Sequence, residues 1–298
     1  MNNPVSYFND TMLARVTRSQ RAPDFIGIGA QKSGTTWLYR NLEFHPELFM
    51  PRVKELQYFN EIYLPKHREW ISGHRNSGAK DALSYYLNNT PPDKMDLAII
   101  HSITSYAVEL PDDEWYRRMF AVASPSQICG EITPEYSLLP PAGVAHAIKI
   151  SPHAKIIFLL RDPIERNWSH IRMIMTQNPH DEHNILEMVR WLDVVERARY
   201  GEIFRRWSSF VAPSNIYVDT IDQIAADPMA VLKRISIFLG IRYLPQYFNE
   251  AAKPVHVGER QDPIPDDAYQ LMRQQLEQVY NDIANTFEFG AKWRKRHY

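Results

Sequence analysis

The chain has 298 residues, of which 44% are hydrophobic and 23% charged, and its formal net charge is −1. This composition is typical of a globular protein with a sizeable core, and it gives no general attraction to nucleic acid or to an anionic membrane. The single cysteine, Cys129, excludes an intrachain disulfide framework and a cysteine-rich metal site. No run approaches the ~20 apolar residues of a membrane helix, so we expect a cytoplasmic protein without an integral membrane segment.

Strand and helix signals alternate along the chain. Short apolar runs predict strands over 25–28, 155–160 and 215–218, with a weaker signal around Ile128. Helices are predicted over 34–44, 163–175, 227–239 and 268–287, the last followed by a solvated basic tail at 292–296. Asp162 and Asp227 each precede a proline and should cap the helices that follow them, and Gly240 should end the helix over 227–239.

This alternation predicts an α/β fold in a single domain: a P-loop-like central parallel sheet with helices on both faces. We expect residues 1–21 to form an N-terminal extension and residues 22–298 to form the domain. Residues 61–126 show no regular pattern and are rich in Tyr, His, Trp and Pro, which favours an irregular segment on the acceptor side of the site. Ligands of such folds bind beyond the carboxyl ends of the strands.

The turn at residues 27–36 has the composition of a phosphate-binding loop. Its glycines allow backbone N–H groups to approach an anion, and its lysine and hydroxyl groups add charge and donors. These residues are Gly27, Gly29, Gly34, Lys32, Ser33, Thr35 and Thr36. A triphosphate P-loop needs a glycine directly before the lysine, and a dinucleotide motif needs a glycine where Lys32 stands, so neither motif matches in full.

The sequence QKSGTTWL at 31–38 resembles the 5′-phosphosulfate loop of sulfotransferases that use 3′-phosphoadenosine 5′-phosphosulfate (PAPS). RDPIERNWS at 161–169 is similar to the 3′-phosphate segment of the same family, and the resemblance spans most of residues 22–290. It implies that PAPS, and its product adenosine 3′,5′-bisphosphate, bind at Gln31, Lys32, Ser33, Gly34, Thr35, Thr36, Trp37, Arg161, Ser169, Gly258 and Arg260. An arginine suits the 3′-phosphate because its guanidinium binds phosphate bidentately.

Two further segments resemble the glycan-modifying branch, which includes the heparan sulfate sulfotransferases. They are KELQYF at 54–59 and GEITPEY at 130–136, although Ile132 stands where that branch carries a lysine. The resemblance implies that Glu55 is the general base and that Lys54 lies beside the substrate, while Lys32 stabilises the leaving phosphate. The small-molecule branch uses a histidine base, for which His101 is the candidate here.

The implied function is in-line transfer of a sulfuryl group from PAPS to a hydroxyl or amine of a carbohydrate or glycolipid-like acceptor, without a metal. The alternative acceptor is a small-molecule or phenolic hydroxyl used with a histidine base. A nucleotide kinase and a non-catalytic nucleotide-binding protein are the other classes that the sequence leaves open. The vertebrate glycan enzymes are membrane-anchored, whereas no anchor is evident in this sequence, so we expect a bacterial protein. The sequence leaves its oligomeric state open.

Overall fold

Five parallel strands form the centre of the fold. They are β1 (Phe25–Gly29), β2 (Leu48–Phe49), β3 (Ile128–Ile132), β4 (Lys155–Leu160) and β5 (Ile216–Thr220). Their order in the sheet is β2-β3-β1-β4-β5. The structure is a computed structural model that describes residues 21–177, 184–253 and 262–298.

The strands are apolar on both sides because helices cover both faces of the sheet. On β4, Ile156 and Phe158 pack into one hydrophobic cluster, whereas Ile157 and Leu159 pack into the other. Burial on two faces explains why this strand reads as a continuous apolar run rather than as an alternating pattern. The predicted α/β fold with a parallel sheet and two helical layers is confirmed.

The helices of the described chain are α1 (Thr35–Leu42), α2 (Tyr58–Tyr63), α3 (Arg68–Asn89), α4 (Leu97–Val108), α5 (Asp113–Arg118), α6 (Pro141–Ile150), α7 (Pro163–Gln177), α8 (Ile185–Arg190), α9 (Leu192–Glu196), α10 (Tyr200–Ser208), α11 (Ile221–Ala226), α12 (Pro228–Leu239), α13 (Asp266–Thr286) and α14 (Gly290–His297). Short 3₁₀ turns lie at Pro65–His67, Pro92–Lys94, Pro134–Leu138, Pro213–Asn215 and Pro245–Tyr247.

The predicted helix caps are confirmed. The Asp162 carboxylate accepts from the backbone N–H of Ile164 at 3.1 Å, and that of Asp227 accepts from Ala230 at 2.9 Å. Gly240 ends α12 in the left-handed conformation, with φ of 81°. Local polar and backbone chemistry therefore sets these helix ends.

The expectation of an irregular segment over 61–126 was wrong, because most of it is helical and α3 alone spans 22 residues. The buried side of α3 includes Ile71, Arg75 and Ala79, so a charged residue interrupts its apolar stripe. The tail at 292–296 is not simply solvated either. It belongs to α14, where Trp293 is buried and its Nε1 donates to Asp222 at 2.8 Å.

No helix among the described residues has both the length and the apolar character needed to cross a bilayer.

Candidate active site

The carboxyl end of each strand leads into a segment that lines one cavity of about 620 Å³. In strand order from β1 to β5, these segments contribute Lys32, Glu55, Glu135, Arg161 and Ile221. This volume lies within the range of roughly 300–1,000 Å³ that is usual for small-molecule sites. The sheet topology thus brings residues from distant parts of the sequence to one edge.

The turn after β1 exposes backbone donors and a strained lysine. Gly34 precedes α1 with φ of 93° and has no side chain to cap the first N–H groups of that helix. Lys32 also has a positive φ, 68°, which costs a non-glycine residue roughly 1–2 kcal/mol. Strain of this kind is concentrated at functional sites, so this turn is a strong candidate for ligand binding.

Lys32 lies within a group of cations. Burial, followed by the charges of Arg161, Arg166 and Arg172, lowers the pKa of Lys32. Like charges held this close destabilise one another, and a bound polyanion relieves the repulsion. The charge and the free backbone donors of this end therefore fit a phosphosulfate and a phosphate.

At Gly27 and Gly29, a side chain would lie too close to neighbouring atoms. A Cβ on Gly27 would lie 2.8 Å from Ile132 Cγ1, and one on Gly29 would lie 2.9 Å from the Pro134 carbonyl oxygen. They allow close packing of β1 against β3 and the turn that follows it. Of the three glycines, only Gly34 lines the cavity, so the expectation that all three allow backbone N–H groups to approach an anion was wrong.

The turn after β4 is fixed from behind by the C-terminal helices. Asp162 is buried, and it accepts hydrogen bonds from the Tyr280 hydroxyl at 2.6 Å and from His297 Nε2 at 3.0 Å. The Tyr200 hydroxyl donates to the Arg161 carbonyl at 2.9 Å. The Arg161 side chain and Ser169, two helical turns beyond Asp162, line the cavity.

Glu55 is an ionised carboxylate on a strained backbone with φ of 69°. Lys54 Nζ pairs with its Oε1, and Gln57 Nε2 donates to its Oε2 at 3.1 Å. Burial acts to raise the pKa of Glu55, but Lys54, His74 and Gln57 outweigh burial and hold that pKa below its ordinary value. A carboxylate that stays charged at neutral pH can accept a proton.

A second carboxyl group, Glu135, shares Gln57 with Glu55. Gln57 Nε2 also donates to Glu135 Oε2 at 3.3 Å, and the buried Arg197 pairs with Glu135 Oε1 at 3.2 Å and with Asp193 at 2.8 Å. Burial and the charge of Glu55 raise the pKa of Glu135 despite Arg197. The pKa of Glu55 is thus lowered while that of Glu135 is raised, so Glu55 is the more acidic of the two carboxyl groups.

Buried Arg166 fixes the start of the first loop. Its Nη2 donates to Gln31 Oε1 at 3.0 Å and to His170 Nδ1 at 2.8 Å, and its Nε donates to the Gln31 carbonyl at 3.2 Å. Burial, followed by the charge of Arg197, lowers the pKa of Arg166 to about 9. Burial and the same arginines hold the pKa of His170 well below 6.5, so His170 is neutral and accepts.

The structure brings together most of the predicted site residues that it describes. The predicted residues that line the cavity are Gln31, Lys32, Gly34, Thr35, Thr36, Trp37, Glu55, Arg161 and Ser169. Ser33 is buried within the loop, and Lys54 reaches the site only through its pair with Glu55. Gly258 and Arg260 lie outside the described residues.

His101 lies exposed on α4 and does not line the cavity. Another histidine, His74 of α3, lines the cavity instead, and its Nε2 lies 4.0 Å from Glu55 Oε2. Ile132 is buried against Gly27 rather than facing the cavity. Within the described residues, no group of three His, Cys, Asp or Glu side chains could hold a metal ion.

Sequence reasoning assigned no role to several residues of the site: Gln57, His74, Glu135, Arg166, His170, Asp193 and Arg197. Gln57, Glu135 and Arg166 lie inside the motifs KELQYF, GEITPEY and RDPIERNWS, and their polar character at otherwise apolar strand ends was the available signal. Arg197 follows no motif and becomes visible only through its contact with Glu135.

A parallel sheet with an uncapped, lysine-bearing turn after β1 and an arginine turn after β4 is typical of an α/β protein with a site for a phosphorylated ligand. A family model described as the sulfotransferase family matches residues 23–245, which is most of the chain. The chain belongs to the sulfotransferase family, as its motifs predicted.

Individual relatives are distant. The chain is 27% identical over 198 residues to the membrane-associated sulfotransferase kil1 of Dictyostelium discoideum, covering 62% of this chain and 32% of that protein. It is 22% identical over 253 residues to a bifunctional heparan sulfate N-deacetylase/N-sulfotransferase of Drosophila melanogaster, covering 79% of this chain and 21% of that protein. The chain thus spans about a third or less of the length of these curated relatives.

Solved structures share the fold. A sulfotransferase from Alicyclobacillus acidocaldarius superposes with a TM-score of 0.60 at 19% identity, covering 92% of this chain and 99% of that chain. The sulfotransferase domain of the Synechococcus PCC 7002 olefin synthase superposes with a TM-score of 0.56 at 19% identity, covering 86% and 95%. These similarities show the sulfotransferase fold.

Proposed function

We propose that this protein transfers a sulfuryl group from PAPS to a hydroxyl group of a carbohydrate or glycolipid-like acceptor. The observation that carries the proposal is that Lys32, Arg161, Ser169 and Glu55 line a single cavity. A cation for each phosphate-bearing end of the donor and a carboxylate for the acceptor are thereby available at one site.

At the donor end, residues 31–36 would bind the 5′-phosphosulfate, and Arg161 with Ser169 would bind the 3′-phosphate. The free N–H groups at the start of α1 and the mutual repulsion of the cations around Lys32 support this assignment. Trp37 is held by a hydrogen bond from its Nε1 to the Ala251 carbonyl at 3.2 Å, and it forms part of the same wall.

The proposed reaction is an in-line substitution at sulfur. The acceptor oxygen forms a bond to sulfur while the bond between sulfur and the 5′-phosphate oxygen breaks, and the acceptor proton passes to Glu55. Lys32 stabilises the charge that grows on the leaving phosphate. The lowered pKa of Glu55 keeps this base ionised, and Gln57 and Lys54 hold it in place.

A carbohydrate-type acceptor is supported by the KELQYF motif and by the heparan sulfate N-deacetylase/N-sulfotransferases among the relatives. A specific observation also favours the alternative, a small-molecule hydroxyl with a histidine base. His74 Nε2 lies 4.0 Å from Glu55 Oε2 and has no hydrogen-bond partner among the described residues. If a histidine is the base, His74 replaces His101 in that role.

Melting temperatures test the donor assignment. Adenosine 3′,5′-bisphosphate in EDTA should raise the melting temperature by several degrees at ~100 times its Kd, because it binds only the folded protein. ATP with Mg²⁺ should change it little. A shift with ATP and Mg²⁺ but none with adenosine 3′,5′-bisphosphate would favour a kinase and contradict the proposal. Transfer of radiolabelled sulfate then separates an enzyme from a non-catalytic binding protein.

A further inference from the structure

An open aromatic surface lies beside Glu55. His74 of α3 approaches Glu55 to 4.0 Å, and its ring packs edge-on against Trp70 with the ring centroids 5.8 Å apart. Trp70 lines the cavity and keeps 39% of its surface exposed. An exposed tryptophan inside a cavity offers a large apolar area to a ligand.

Helix α7 adds further apolar side chains to the cavity. Met173 and Ile174 are half-buried and line it together with Gln177. They lie one to two turns beyond Ser169, about 6–12 Å further along the helix axis. The lining contributed by α7 therefore changes from a hydroxyl suited to phosphate to apolar surface with one amide.

Each lysine and arginine of the described cavity lining is either assigned to the donor or paired with carboxylates of the protein. Lys32 and Arg161 belong to the donor under the proposed function, and buried Arg197 is bonded to Glu135 and Asp193. Beside Glu55, the described lining thus holds His74, carboxyl groups and one arginine that is paired with two of them. A sulfated or carboxylated chain would meet repulsion from these carboxyl groups, and the described lining offers it no lysine or arginine beyond those assigned to the donor and the paired Arg197.

We infer that the acceptor is an uncharged alcohol with an apolar portion close to the reacting hydroxyl, and that Trp70, Met173 and Ile174 bind that portion. This inference rests on the proposed function, since it uses Glu55 to locate the reacting hydroxyl. Within the proposed acceptor class it selects a neutral, glycolipid-like amphiphile and rejects a polyanionic glycan.

Three acceptors separate these classes in an assay of radiolabelled sulfate transfer from PAPS: octyl glucoside below its micellar concentration, glucose, and N-desulfated heparin. We expect kcat/KM for octyl glucoside to exceed that for glucose about tenfold or more, because several methylenes leave water. We expect N-desulfated heparin to be the poorest acceptor of the three.

Variants at Trp70 test the surface itself. Trp70→Ala should reduce the ratio of kcat/KM for octyl glucoside to that for glucose about tenfold, and Trp70→Phe should keep most of it. Trp191→Ala is the matched control, since Trp191 is 44% exposed and does not line the cavity. It should leave the ratio unchanged.

The inference fails if wild-type protein prefers N-desulfated heparin, or if it uses glucose and octyl glucoside equally well. The melting temperature with adenosine 3′,5′-bisphosphate distinguishes failure of this inference from failure of the proposed function. A retained shift combined with the wrong acceptor preference would overturn only this inference, whereas loss of the shift would overturn the proposed function as well.

Discussion

The two ends of the cavity organise charge in opposite ways. Around Lys32, Arg161 in the turn after β4 and Arg166 and Arg172 on α7 raise the local positive potential, and the N-terminus of α1 lacks a side-chain cap. Around Glu55, charges are matched within the protein: Lys54 pairs with Glu55, and Arg197 pairs with Glu135. The first end therefore favours an anionic ligand, and the second end does so much less.

This difference indicates how binding energy would be divided between two substrates. A cation cluster attracts a highly charged donor, and its affinity should fall as salt rises. A neutralised end with Trp70 beside it recognises its ligand by shape and apolar contact instead. The following predictions test the contrast, beginning with the largest expected effect.

Lys32→Ala should reduce the rate of sulfate transfer by ~10²–10³-fold, as loss of one group that stabilises developing charge typically does. The melting temperature without ligand should not fall, since the pKa of Lys32 is lowered by burial and by neighbouring cations that its removal relieves. Lys149→Ala, at an exposed position of α6, is the control. A variant that transfers sulfate at the wild-type rate would remove Lys32 from the mechanism.

Arg197→Met should lower the free energy of unfolding by ~3 kcal/mol at pH 8, because it leaves Glu135 buried without its partner. The loss should be smaller at pH 5, because the raised pKa of Glu135 favours its protonated form as the pH falls, and that form needs no counterion. Denaturant unfolding at both pH values measures this. Arg199→Met, which removes an exposed pair with Glu202, should have little effect at either pH. Equal losses in the two variants would contradict a neutralised acceptor end.

These contacts show which parts of the site were predictable from the sequence. The turn after β4 depends on neighbours, such as Asp162 capping Ile164, and local chemistry revealed it. Gln57 and Glu135 are 78 positions apart, so the hydrogen bond between them follows from the sheet topology and not from neighbouring residues. Helix α3 escaped detection because Arg75 occupies its buried stripe, and with the helix its cavity residue His74 was missed.

A further pH-dependent effect concerns Glu131, a carboxyl group buried at the end of β3 that accepts hydrogen bonds from Tyr116 and Thr133. Burial raises the pKa of Glu131 to about 7 despite these bonds, from about 4.5 in the unfolded chain. The folded protein therefore binds this proton more tightly, and its contribution to stability is full below pH ~4.5 and declines up to pH ~7, by at most ~1.4 kcal/mol per pH unit.

Glu131→Gln should flatten this decline when unfolding is measured between pH 4.5 and 7.5, and Glu187→Gln, at an exposed position of α8, should retain it. Identical slopes in wild type and Glu131→Gln would show that the proton is not held there.

The most direct test of the division between a donor end and a base is Glu55→Gln, assayed for both functions on the same preparation. Sulfate transfer should fall ~10²–10⁴-fold, as expected for loss of a general base, while the melting shift with adenosine 3′,5′-bisphosphate stays at the wild-type value. Glu114→Gln, whose side chain is 78% exposed, should change neither. Wild-type transfer by Glu55→Gln, or loss of its nucleotide-induced shift, would contradict the assignment of Glu55 as the base.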